Sequence, residues 1–92
     1  MKIEFDPAKS ERNTRERGLS FEMVERFDWE SAVYSEDIRF LYLETRFTAL
    51  GIIGDRLHVV CFTPIFGGVR VISFRKANER EVRRYEKVAA HR

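Results

Sequence analysis

The chain is poor in the residues that staple or metallate small proteins. Of its 92 residues one is cysteine, two are histidine and two are proline. Cys61 has no internal partner for a disulfide, so a reducing compartment is expected. His58 and His91 stand apart from each other, and with one thiol they give no ligand cluster of recognisable spacing. A metal or other cofactor is therefore not expected. No apolar run approaches the length of a membrane span. Charges at Lys2, Glu4, Asp6 and Lys9 interrupt any stretch resembling a secretory leader. The expected location is the cytoplasm, without membrane contact. Large excess charge of one sign is also missing, the net value being +2.

What is present is an ordinary globular balance, 43% hydrophobic and 35% charged, enough for one modest core and a single domain over residues 1–92. The charge is unevenly placed. Residues 75–92 carry seven Lys/Arg against three Glu, whereas residues 1–74 carry ten against twelve Asp/Glu. A compact basic segment on a near-neutral protein suits a localised phosphate site better than general adhesion to nucleic acid. A solvated helix face explains the same composition, and both readings stand at this level.

The most informative stretch is Gly67 to Tyr85. Val69 to Phe74 is β-branched and aromatic after a Gly-Gly turn, so it reads as a strand. Asn78 then occupies an N-cap position with Glu81 three residues on, the spacing of a capping box. Along the helix that follows, Val82, Tyr85 and Val88/Ala89 form an apolar stripe. Arg80, Arg84, Lys87 and His91 form a basic one. Upstream, Lys2–Phe5 reads as a short strand. Asp6-Pro7 starts a helix that Gly18 ends near Arg17, with Ala8 its one clearly apolar residue. Ser20 is placed to cap a second helix, Phe21–Phe27, whose buried face is Phe21, Val24 and Phe27. Ser31–Tyr34 is a short extended segment, and the stretch to Leu43 has no clear pattern. Strands follow at about 45–53, 57–63 and 69–74, with turns at 54–56 and 64–68. Their apolar residues fall on both faces, so the sheet is expected to be covered twice, with helices on one side and a partner or a site on the other.

Nucleophile chemistry has little to work with. Cys61 and His58 are three apart in a strand and point to opposite faces, and no phosphate-binding glycine loop is present. The remaining groups are cations, carboxylates and tyrosines. These suit metal-free RNA cleavage, in which a 2′-OH attacks its neighbouring phosphate and arginine forks hold the added charge.

The strand-and-helix pattern Arg70-x-Ile72-Ser73-x-Arg75-x-Ala77 followed by Arg80-Glu81-x-Arg83-Arg84-Tyr85-Glu86 resembles the BrnT family of bacterial toxins, within the RelE-like ribonucleases. Phe5-Asp6-Pro7-Ala8-Lys9, Asn13, Gly18-Leu19-Ser20-Phe21-Glu22 and Glu44-x-Arg46-Phe47-x-Ala49-Leu50-Gly51 extend the resemblance over most of the chain, with residues 28–43 the least similar. The resemblance departs at the end of the first helix, where Glu16-Arg17-Gly18 replaces a basic residue and histidine before the glycine. It implies an α+β, RelE-like domain, an antiparallel sheet packed with two N-terminal helices and one C-terminal helix. It implies an endoribonuclease toxin acting on mRNA, held by a ribbon-helix-helix antitoxin through which alone it reaches operator DNA to repress the shared operon. Lys9, Glu44, Arg46, Arg70 and Arg75 carry over as catalytic candidates, and Arg80, Arg84, Tyr85 and Lys87 as RNA-binding ones. Arg70 and Arg75 would hold the scissile phosphate, Arg46 a neighbouring one, and Glu44 or Lys9 would move the proton.

Plainer roles stand beside these. Arg46 pairs with Glu44 across one strand face, Lys9 is a solvated lysine, and Tyr85 packs with Val82. Trp29 and Phe66 stack on bases or fill a core or partner contact. Arg70 and Arg75 are an odd number apart, so a straight strand aims them at opposite faces. A non-catalytic module binding RNA, DNA or an acidic protein through the basic helix, or a co-repressor, is the competing function.

Overall fold

In a computed structural model, which describes residues 1–92, five strands form one sheet. They are β1 (Lys2–Glu4), β2 (Val33–Glu36), β3 (Phe47–Ile53), β4 (Arg56–Ile65) and β5 (Gly68–Lys76), in spatial order β1-β5-β4-β3-β2. β1 runs parallel to β5 and every other neighbouring pair is antiparallel. Two α-helices, α1 (Pro7–Arg17) and α2 (Glu79–Ala89), and a 3-10 helix at Phe21–Arg26 complete the α+β fold.

The caps of α1 and α2 are those the sequence implies. Asp6 Oδ1 accepts from the Ala8 N–H, Pro7 opens α1, and Gly18 at φ 72° closes it by donating its N–H to Thr14. At α2 both halves of the Asn78–Glu81 capping box form. With Ser10 its one buried residue, α1 is held by polar bonds instead of an apolar stripe. Ser10 Oγ accepts from Phe21 N–H, and the Asn13 amide donates to the carbonyls of Leu19 and Phe74, each at 2.9 Å.

Two local expectations change. The second helix is 3-10 in form and Ser20 supplies no side-chain cap. Its buried residues, Phe21 and Val24, are three apart, and three residues per turn superimposes them on one face where an α-helix would fan them out. The turn expected at 64–68 shrinks to Phe66-Gly67. β4 runs through Pro64 to Ile65, and Gly67 at φ 80° supplies the left-handed residue.

One face of the sheet carries Phe47, Ala49, Val60, Phe62, Val69, Val71 and Phe74. It packs against Leu19, Phe21, Val24 and Phe27 to form the main core. Phe27 leaves the 3-10 helix and lays its ring over Gly51, where a Cβ would collide with it. Trp29 meets Phe27 and Phe62 edge-on and belongs to this side. The opposite face carries a smaller cluster, Val33, Leu50, Leu57, Val59 and Ala77, on which Val82 and Tyr85 of α2 rest. No residue of α2 is itself buried. Helices therefore cover one face, and α2 covers one end of the other.

His58 shows how firmly the core side is closed. Only 3% exposed, its ring stacks on Phe74 and its Nδ1–H donates to the Arg56 carbonyl at 2.8 Å. Burial pushes its pKa below the ordinary 6.5, and the nearby Arg56 and Lys76 cations act the same way. A base held neutral in the native state leaves stability intact above about pH 6.5 and removes it progressively as pH falls below that. Thermal unfolding at pH 7.5 and 5.5 should show a drop in midpoint that His58→Gln largely abolishes. An equal drop in both proteins would assign the effect to other groups.

Candidate active site

A β-bulge decides which side chains share the open face. Cys61 of β4 stands opposite Ser73, but the next residue, Phe62, stands opposite Val71, so Ile72 is an extra residue in β5. Side chains alternate along a regular strand, and an extra residue reverses the alternation beyond it. Val69, Val71 and Phe74 consequently all reach the core. Arg70, Ser73 and Arg75 all project to the opposite face. The odd spacing of the two arginines is thereby corrected for.

The ladder then aligns positions in rows. Ser73 faces Cys61, Cys61 faces Thr48, and Thr48 faces Ser35, giving a row of hydroxyls and one thiol across four strands. On one side lies the row Arg75–Val59–Leu50–Val33, whose three apolar members lie beneath α2. On the other, Arg70 faces Thr63, and continuing the register one step past Phe47–Phe62 places Arg46 beside Thr63. The Arg46 carbonyl in turn accepts from the Asp37 N–H at 2.8 Å. With strands ~4.8 Å apart, the Arg46 and Arg70 backbones are about 10 Å apart across Thr63. Arg75 lies four ladder positions along β4 from Arg70, about 13 Å away.

Each of these arginines meets a carboxylate, on different terms. Arg70 Nε donates to Glu4 at 3.1 Å, and both side chains are over 40% exposed. Such a pair contributes little to stability and is readily exchanged for a phosphate. Arg46 reaches Glu44 at 3.4 Å, as its spacing implies. Its guanidinium lies 4.2 Å from the centre of the Tyr42 ring, and its buried Nε has no hydrogen-bond partner. Arg75 donates both arms of its fork to Glu81 at 2.8 Å, and Glu81 also accepts from the Asn78 N–H. The Arg75 hydrogen bonds hold the Glu81 carboxyl below its usual range. Arg75 is thus a strut between β5 and the start of α2 as well as a cation on the open face.

The other candidates are distributed around this face. Glu44 lies on the loop preceding β3, lining the same hollow as Arg46. Lys9 lies on α1 in a separate hollow with Arg12, Asn13 and Arg17, against Ile72 and Ser73 at the free edge of β5. Ser73 also lines the groove on the open face, so it joins the two. Arg84 lines that groove beside Arg75 and Glu81. Tyr85 rests on the opposite flank of α2, with Val82 and Leu57. Arg80 and Lys87 are exposed.

Asp37, Arg39 and Tyr42, which the sequence left unremarked, belong to this site. The buried Asp37 carboxylate takes two bonds from Arg39 at 2.9 and 3.0 Å and one from the Tyr42 hydroxyl at 3.1 Å. The Arg39 bonds, more than any other cause, hold its pKa far below the carboxylate range. The Asp37-x-Arg39 pair, two residues apart before Tyr42, was the available signal, but nothing in the stretch told a buried carboxylate from a solvated one. Cys61 is buried and its thiol is pushed up by that burial, so it is floor and not nucleophile.

Fold and site together define a small α+β protein with an arginine-bearing sheet face left uncovered, a surface suited to a polyanion. The family model described as "Ribonuclease toxin, BrnT, of type II toxin-antitoxin system" matches residues 5–81. The chain belongs to this family, whose members are ribonuclease toxins with RNA as substrate and an antitoxin as partner. The match includes Lys9, Glu44, Arg46, Arg70, Arg75 and Arg80, and stops before Arg84, Tyr85 and Lys87. No curated protein and no solved structure matched the chain.

Proposed function

We propose that the chain is a RelE-like endoribonuclease that cleaves mRNA in the cytoplasm without a metal ion. The observation that carries this reading is the row Arg70–Thr63–Arg46, two arginines whose backbones flank one residue of β4 on the face opposite the main core. Two forks about 10 Å apart at the backbone can close on one phosphate from both sides, because each side chain spans roughly half that distance and more. Arg46 and Arg70 then hold the scissile phosphate. Arg75 and Arg84, at the α2 end of the groove, take a neighbouring one, a reassignment of the roles expected for Arg75 and Arg46.

In the proposed step the 2′-oxygen forms a bond to phosphorus and the bond to the 5′-oxygen breaks, leaving a 2′,3′-cyclic phosphate and a 5′-hydroxyl. Glu44, beside Arg46, takes the proton from the 2′-OH. Lys9, across Ser73, gives one to the departing oxygen. Such acid–base groups contribute about 10²–10⁴ each. The partner is proposed to be an antitoxin of ribbon-helix-helix type, with which the chain represses its operon.

Labelled RNA incubated with the purified protein in EDTA should be cut to products with 2′,3′-cyclic ends, and Arg46→Ala should slow cutting by about 10²–10³. RNA cut only when a divalent ion is restored would refute the metal-free reading. RNA left intact with and without divalent ions, but bound through the exposed Arg80, Arg84 and Lys87 of α2, would favour the non-catalytic module.

A further inference from the structure

The loop between β2 and β3 carries a feature that RNA cleavage does not use. Eight large apolar side chains are exposed in the whole chain, and four of them, Ile38, Phe40, Leu41 and Leu43, fall within six consecutive residues. Leu41 and Leu43 are fully exposed. A floppy loop would fold such residues inward, but this one is fixed at its base. Asp37 holds Arg39 and Tyr42, Tyr42 lies under Arg46, and Asp37 N–H bonds the Arg46 carbonyl. Tyr42 also meets Phe40 edge-on, and Arg39 lies over the Phe40 ring. The buried polar base therefore spends its side chains on displaying the apolar tip. An apolar cluster displayed on a fixed base marks an interaction surface.

Its position says what covers it. Residues 36–38 line both the hollow under the loop, which holds Arg46, and the groove holding Ser73, Arg75 and Arg84, so the tip borders both. Three of the four, Ile38, Leu41 and Leu43, are aliphatic and offer RNA neither charge, hydrogen bonds nor a stacking face, and the Phe40 ring is already taken by Arg39 and Tyr42. A protein segment fits better. Apolar residues on it meet the tip, and carboxylates beside them meet Arg39, whose side chain is 74% exposed, and Arg84.

We infer that the 38–43 tip is the docking surface for an apolar, acid-flanked segment of the antitoxin, which by lying across it screens Arg46, Arg75 and Arg84 from RNA. The inference rests on the family's type II assignment and adds the surface, its chemistry and the route of inhibition. The exposed apolar side chains of the tip, Ile38, Phe40, Leu41 and Leu43, are not themselves assigned to cleavage, although Tyr42 beneath them packs on Arg46.

The test compares the wild-type chain with Leu41→Asp/Leu43→Asp and the apolar control Leu41→Met/Leu43→Met. Affinity is measured for the purified antitoxin of its own pair, RNA cleavage without antitoxin, and self-association by sedimentation. The aspartate variant should still cut RNA, slowed by no more than the added charge beside Glu44 imposes, and bind the antitoxin at least about 100-fold more weakly, and the methionine variant should match wild type in both. Because both leucines are fully exposed, folding is expected to be unchanged, and circular dichroism checks this. Unchanged antitoxin affinity in the aspartate variant overturns the inference and leaves the nuclease reading intact. So does a wild-type dimer that the aspartate pair separates, which would make a second copy the occupant. Loss of cleavage in the aspartate variant with antitoxin binding retained would assign the tip to RNA. A wild-type chain that neither cuts RNA nor binds the antitoxin would overturn the functional reading and this inference together.

Discussion

Arg70→Ala is expected to lower the rate of RNA cleavage by about 10²–10³, about 2.7–4 kcal/mol of barrier, while leaving the unfolding midpoint nearly unmoved. The two effects separate because of where Arg70 sits. Its partner Glu4 is a surface carboxylate, and the pair is exposed on both sides, so its loss removes little stability. Arg75→Ala behaves differently. It strips the bidentate partner from Glu81, the same carboxylate that closes the capping box of α2. Activity and stability should then fall together, the helix cap alone being worth about 1 kcal/mol. Single-turnover cleavage read beside urea unfolding distinguishes the two arginines. Should Arg70→Ala cut RNA at the wild-type rate, Arg70 does not hold the scissile phosphate and the proposed row is wrong.

Phe74→Ala is expected to cost about 3–5 kcal/mol of folding stability, a large part of the 5–15 kcal/mol typical of a domain. Phe74 is 1% exposed and among the largest fully buried side chains. It packs in the main core and receives the His58 ring on its face. Phe66, by contrast, is fully exposed at the β4–β5 turn, and Phe66→Ala should move stability by no more than about 0.5 kcal/mol. Urea titration of both variants reads the difference directly. Comparable losses in the two would mean that the bulge does not deliver Phe74 to the core, and the face assignment of Arg75 would fall with it.

Much of the local structure is legible in the chain because its signals are short-range. Asp6-Pro7, Gly18 and Asn78 with Glu81 act through backbone groups two to four residues away, and all of them operate as the spacing implies. Glu44 and Arg46 are neighbours for the same reason. The 3-10 form of Phe21–Arg26 was less legible, since a spacing of three serves either helix type and only the sheet beneath selects one. The stretch 37–43 was not legible at all. Its apolar residues are displayed and its Asp37 is buried, the reverse of what hydropathy predicts.

The sequence by itself determined the element order, both α-helical caps and the two-sided hydrophobicity of the strands. These follow from propensities and from contacts within one turn of chain. Only the tertiary structure decided which side chains face together. One extra residue in β5, Ile72, reverses the alternation and brings Arg70, Ser73 and Arg75 to one face, and the ladder from β5 to β3 adds Arg46 to the row. A bulge is chosen by the pairing of two strands. Neither strand alone contains the information, and so the candidate site could be composed from residues but not assembled.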